Sequence, residues 1–78
     1  MENSKQMFIS IQGVADVYDF IREASKVEGD VLIKRGKFAV DAKSFLGVFS
    51  LDVSQQVIVV YPADATDFEK YVSKFQIA

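Results

Sequence analysis

The sequence predicts an α/β (α+β) sandwich of two layers: one mostly antiparallel sheet with every helix on a single face, in the order β-α-β-β-α-β-α. Three observations carry this. Two stripes at helical spacing, Val17/Phe20/Ile21/Ala24 and Phe68/Tyr71/Val72/Phe75, bracket the middle of the chain. A hairpin signal, Arg35-Gly36 between two short apolar runs, lies between them. An almost wholly apolar stretch, Gln56-Val57-Ile58-Val59-Val60-Tyr61, reads as a strand inside a sheet rather than at its edge. Helices interleaved with a hairpin require helices stacked on a sheet.

The elements follow in order. Met7, Ile9 and Ile11 alternate with Phe8, Ser10 and Gln12, the period of a first strand with one face against a core. Gly13 punctuates, and the first helix follows, with Asp16 as the expected N-cap and Asp19 in its first turn. Gly29 closes it. Residues 30–34, with Val31, Leu32 and Ile33, form a second strand; residues 37–41 return as a third. Residues 44–51 are apolar, contain Gly47, and show neither alternation nor a long stripe, so they read as a helix of about two turns. The strand at 56–61 ends near the single proline, Pro62. Thr66-Asp67-Phe68-Glu69 is a candidate capping box for the last helix, with Asp64 as a competing cap.

Seventy-eight residues bound the chain to one domain, 1–78, with enough apolar and aromatic side chains for one thin core. There is no cysteine, which excludes disulfides, thiolate metal sites and cysteine nucleophiles. A reducing cytoplasm is the expected setting. The opening Met1-Glu2-Asn3-Ser4-Lys5-Gln6 has no apolar run behind a basic cluster, so no secretory signal is expected. The longest apolar run, residues 57–61, is far too short to span a bilayer. A net charge of −2 with mixed signs disfavours nucleic acid and anionic membrane as partners. There is no histidine either, and no carboxylate pair stands beside a nucleophile, so the expectation is a protein that is not an enzyme and holds no cofactor or metal.

The segment Lys43-Ser44-Phe45-Leu46-Gly47-Val48-Phe49-Ser50-Leu51 carries a resemblance. It is similar to the regulatory-serine segment of the HPr family, the histidine-containing phosphocarriers of the bacterial sugar phosphotransferase system. Phe20-Ile21-Arg22-Glu23-Ala24 resembles that family's first helix, and the likeness spans residues 7 to 75. The resemblance implies an HPr-like open-faced sandwich with a four-stranded sheet in the order 1-4-2-3. It also implies where a phosphocarrier would carry its site: histidine, a small residue, arginine and proline at the start of the first helix. Here Gly13, Val14, Ala15 and Asp16 stand there. The nitrogen that accepts phosphate is gone, and an aspartate repels a phosphate nearby. The degenerate loop, Gly13, Ala15 and Asp16, predicts no phosphocarrier activity.

What the resemblance keeps is Ser44, the counterpart of the family's regulatory serine, phosphorylated by an ATP-dependent HPr-type kinase. The chain is similar to family members that lack the histidine, keep the serine and act in carbon catabolite repression through a transcriptional regulator. The expected role is therefore a regulatory or adaptor protein, with phosphoserine at Ser44 as its switch and protein–protein interaction as its mode. Lys43 is expected to add positive charge beside that serine. Phe45, Leu46, Gly47, Val48 and Phe49 are the expected partner contacts. A plain N-cap role for Ser44 stands beside this reading. Ser50 is expected to face solvent or bond its own backbone.

Two further readings stay open. A small-molecule-sensing or protein-interaction domain of the ferredoxin-like type shares much of the element order, but needs a longer second helix without Gly47 at its centre. Strand alternation also leaves Phe8, Leu32 and either Ile58 or its neighbours on the face away from the helices, a candidate homodimer surface. Lys34, Arg35 and Lys37 at the hairpin read as a charged edge that blunts edge-to-edge pairing.

Overall fold

The computed structural model describes residues 3–77; Met1, Glu2 and Ala78, the ends of the expected 1–78 domain, lie outside them. Four strands, β1 (Ser4–Ile9), β2 (Leu32–Arg35), β3 (Phe38–Asp41) and β4 (Val57–Pro62), pair antiparallel in the order β1-β4-β2-β3. Three helices, α1 (Val14–Ser25), α2 (Phe45–Phe49) and α3 (Thr66–Val72), cover one face, and a 3-10 turn over Ser73–Phe75 extends the last. This is the HPr-like sandwich the resemblance implies. The second helix has five residues with Gly47 at its centre, which the ferredoxin-like alternative does not allow.

The register fixes which side chains face the helices. Ile9 is opposite Val57, Met7 opposite Val59, and Val59 opposite Ile33. Ile9, Ile33, Val57 and Val59 are buried, and Phe20, Ala24, Val48, Phe68 and Val72 meet them from the helix layer. Alternate residues form the other face in two rows. Gln6, Val60, Leu32 and Asp41 make one; Phe8, Ile58, Lys34 and Ala39 make the next. On β4 the burial alternates strictly along the strand, because both neighbours cover its edges and only the outer side meets solvent. The hairpin between β2 and β3 turns at Gly36, whose φ of +61° is the left-handed value that glycine adopts without a Cβ penalty.

Several boundaries differ from the sequence reading. The first strand begins three residues earlier than Met7 and ends at Ile9. Ile11 is buried beyond it because its N–H bonds the Val53 carbonyl at 2.8 Å instead of a strand partner. The first helix begins at Val14, one turn before the apolar stripe. Gly13 is its N-cap, Val17 N–H bonds the Gly13 carbonyl, and no side chain caps it. Asp16 is therefore inside the first turn and not the cap. Asp19 lies one turn later, ion-paired to Arg22 at 2.7 Å. The stripe began at Val17 because Val14, the first helical residue, faces solvent and breaks no pattern.

The capping box at 66–69 does not form, nor does the Asp64 side chain cap the helix. Ala65 is the N-cap, and Thr66 is already helical. The Glu69 carboxylate is turned elsewhere: it accepts the Tyr61 hydroxyl at 2.7 Å and faces Lys5 at 3.4 Å. Among the described residues no helix is long and apolar enough to cross a membrane.

Candidate functional site

The approach to α2 is built by Asp41. Its carboxylate accepts the Lys43 N–H at 2.9 Å and its carbonyl accepts the Ser44 N–H at 3.0 Å, folding the chain back toward the helix layer. Ser44 then takes an extended conformation, ψ 116°, and caps the helix. Its Oγ accepts the Gly47 N–H at 3.2 Å and its carbonyl accepts the Val48 N–H at 3.0 Å. Ser44 is half-buried. At the far end the Ser50 hydroxyl donates to the Gly47 carbonyl at 2.6 Å, the backbone bond expected of it.

The Lys43 ammonium is bonded to the loop after α1, and no bond joins it to Ser44. Its Nζ donates to the carbonyl oxygens of Val27 at 2.7 Å and Gly29 at 2.8 Å, on the loop that follows α1. Those carbonyls lie just past the C-terminal end of a twelve-residue helix, where a cation is favourably placed. The reading from sequence put the charge beside its chain neighbour because adjacency is all a sequence shows.

The patch is also revised. Val48 is fully buried and belongs to the core, so it is not a contact residue. Gly47 is packed inward: a Cβ there would stand 3.2 Å from Val40 Cβ and from Ser44 Oγ. Phe45, Leu46 and Phe49 do face solvent, at 45%, 83% and 41% exposure. They are joined by Tyr18 of α1, which the sequence reading missed. Its ring centroid is 4.9 Å from Phe45 and 5.5 Å from Phe49, and those two are 5.1 Å apart. Tyr18 lies off the buried stripe of α1, so its exposure was legible; its meeting with α2 was not.

The degenerate loop lies beside this face. A shallow cleft is lined by Gln12, Gly13, Val14, Phe49, Asp52 and Ser54. Ala15 and Asp16 are exposed in the first turn of α1. The loop is tied down by Ser10 Oγ and Gln12 Nε2, both donating to the Ser54 carbonyl at 2.9 Å. Asp52, unremarked in the sequence, has a φ of +27°. The Ser54 hydroxyl and N–H both donate to its carboxylate. The Ser54 hydroxyl is the main reason its carboxyl is held below the usual range. The cleft thus carries a carboxylate held as an anion, and no histidine exists to take a phosphoryl group.

The sheet order and the helices on one face make an HPr-like fold. Compared with solved structures, the chain is similar to the phosphocarrier protein HPr from Bacillus anthracis str. Ames. The TM-score is 0.69, the sequence identity 21%, and 95% of each chain is covered. At that identity the likeness shows the fold alone. No family model matches the sequence. No curated protein matches it.

Proposed function

We propose that this chain is a non-enzymatic regulatory or adaptor protein related to the sugar phosphotransferase system, working in the cytoplasm through protein contacts and switched at Ser44. The observation that carries the reading is the HPr-like fold in a chain whose 78 residues include no histidine. The loop that would bear it holds Gly13, which lines a cleft with Asp52, and the exposed Ala15 and Asp16. A phosphoryl group arriving there meets no nucleophile and like charge.

Ser44 supplies what remains. Its hydroxyl oxygen attacks the γ-phosphorus of ATP under an HPr-type kinase, loses its proton and releases ADP. The phosphoserine adds up to two negative charges at the N-cap of α2, where the Gly47 N–H already points at the serine oxygen. The new charge stands beside Phe45 and Leu46, so it alters the face a transcriptional regulator or other partner protein would read.

Two labelling experiments test this. Phosphoenolpyruvate with the system's first enzyme should leave the protein free of acid-labile phosphate. ATP with an HPr-type kinase should add about 80 Da, and Ser44→Ala should abolish that gain. An acid-labile phosphate in the first experiment overturns the loss of phosphocarrier activity. No gain in the second leaves Ser44 as a helix cap and ends the switch.

A further inference from the structure

The uncovered apolar surface of this molecule is concentrated on one face. Val14 and Tyr18 on α1 and Phe45, Leu46 and Phe49 on α2 are 41–83% exposed; Phe8 lies on the outer side of the sheet, and Phe38 on β3 lines a cleft with Ser50 and Leu51 at the end of α2. We propose that this α1/α2 face is covered by a second copy of the chain, the two packed about a two-fold axis. The proposal deepens the reading of α2 as the contact surface and rests on it for the effect of Ser44.

Charge argues for a second copy. No ionisable residue occurs from Ser44 to Leu51. The α2 half of the face therefore offers an acidic or basic partner nothing to steer by, and the charge beside it is the Asp52 carboxylate in the cleft between Val14 and Phe49. The neutrality of α2 lets identical α2 surfaces meet across a two-fold axis with no like charges opposed. Interfaces between copies are the most apolar class, and their cores are rich in aromatic rings. The rings here are already held by one another, with centroids 4.9 to 5.5 Å apart, so little side-chain freedom remains to be lost on docking.

Area sets the strength. Five side chains of this size at these exposures leave on the order of 500 Å² of apolar surface per copy. Two such faces bury on the order of 1,000 Å², the lower end of specific interfaces, which fits a reversible dimer with a dissociation constant in the micromolar range. The outer sheet face is the weaker candidate. There Phe8 is the exposed large apolar residue at 42%, Ile58 and Leu32 are half-buried, and Lys34 stands directly opposite Ile58.

Analytical ultracentrifugation of the full chain from about 1 µM to 1 mM tests the proposal. The expected result is a rise from the one-chain to the two-chain mass. Leu46→Asp should weaken association at least about tenfold, since it buries a charge at the interface. Leu46 is 83% exposed, so the variant keeps its fold, which circular dichroism checks. Phe8→Asp should leave association unchanged. Ser44→Asp retains a good helix cap while placing a carboxylate beside Phe45, and should also weaken the dimer. A one-chain mass throughout overturns the second copy, and so does a dimer that Leu46→Asp leaves intact. Neither result touches phosphorylation of Ser44, which the kinase assay reads separately. A dimer sensitive to Leu46→Asp but indifferent to Ser44→Asp keeps the interface and overturns its control by the serine.

Discussion

The Nζ of Lys43 lies 2.7 Å from the carbonyl oxygen of Val27, binding the approach to α2 to the end of α1. The second bond, to Gly29, makes the ammonium a clasp between two segments fourteen to sixteen residues apart in sequence. Lys43→Met keeps the stem and removes both bonds. The expected cost is about 1 kcal/mol, since the donor is charged but partly solvated. Amide exchange in residues 26–31 should quicken as the clasp opens. Unchanged protection there would show that the clasp contributes nothing in solution.

Ser44 has a structural task that is separable from its charge. Ser44→Ala loses the acceptor for the Gly47 N–H and should cost roughly 1 kcal/mol in urea unfolding, whereas Ser44→Asp should lie within a few tenths of the parent. Equal stability of all three proteins would mean the 3.2 Å bond does not hold the helix start.

Gly47→Ala sets two effects against each other. Alanine favours a helix over glycine by about 1 kcal/mol. The new methyl, however, meets Val40 Cβ and Ser44 Oγ at 3.2 Å and Ser44 Cβ at 3.3 Å. Val40 is held in the sheet and Ser44 in its cap, so neither gives way cheaply. Overpacking of this kind costs about 1–3 kcal/mol, so a net loss of roughly 1 kcal/mol is expected. A stabilised variant would show that the helix start can shift.

Asp52 occupies left-handed backbone with φ +27°, a conformation unfavourable to a residue with a Cβ. Its bonds with Ser54 offset part of that strain. Asp52→Gly should raise the thermal midpoint by about 2–5 °C. Asp52→Ala keeps the Cβ and loses the bonds, so its midpoint should fall below the parent's. An Asp52→Gly midpoint below the parent's would mean that the Ser54 bonds outweigh the backbone strain.

The layers were legible because two periods dominate the chain, whereas the strand order 1-4-2-3 came from the resemblance. The stripe Val17/Phe20/Ile21/Ala24 is buried as its spacing demands, and the apolar run at 57–60 sits between two neighbours as its lack of alternation demands. The helix starts were less legible. Val14 belongs to α1 while facing solvent, and Glu69 had two partners to choose between, a cap or the Tyr61 hydroxyl. The choice depends on β4 lying under α3, which local sequence does not encode. The same limit hid the Lys43 clasp and the approach of Tyr18 to Phe45. The Ser44 cap, by contrast, joins residues three apart, and a local pattern suffices for it.

Tyr61 on β4 and Tyr71 on α3 both contribute stability that high pH should remove. Burial pushes the Tyr61 hydroxyl up to about 12, and its bond to Glu69 reinforces this. Burial is also the main cause for Tyr71, likewise pushed up to about 12, with the carboxylates of Asp19, Glu23 and Asp16 adding to it against Arg22. A raised value means the fold holds the proton more tightly than the unfolded chain does. The stabilisation is therefore complete below pH 10 and is lost as the pH rises toward 12. Absorbance near 295 nm should show these two phenols ionising late, together with unfolding. The acid side has the opposite sign. The Tyr61 hydroxyl, and then Lys5, hold the Glu69 carboxyl below its usual range. Its contribution is present above the ordinary glutamate value and fades as the pH falls through the lowered one. Tyr61→Phe removes the main cause, so the Glu69 carboxyl should titrate closer to the ordinary value by NMR. The same variant should delete one of the two late phenols. A Glu69 titration indifferent to Tyr61→Phe would mean that the 2.7 Å bond is not formed in solution.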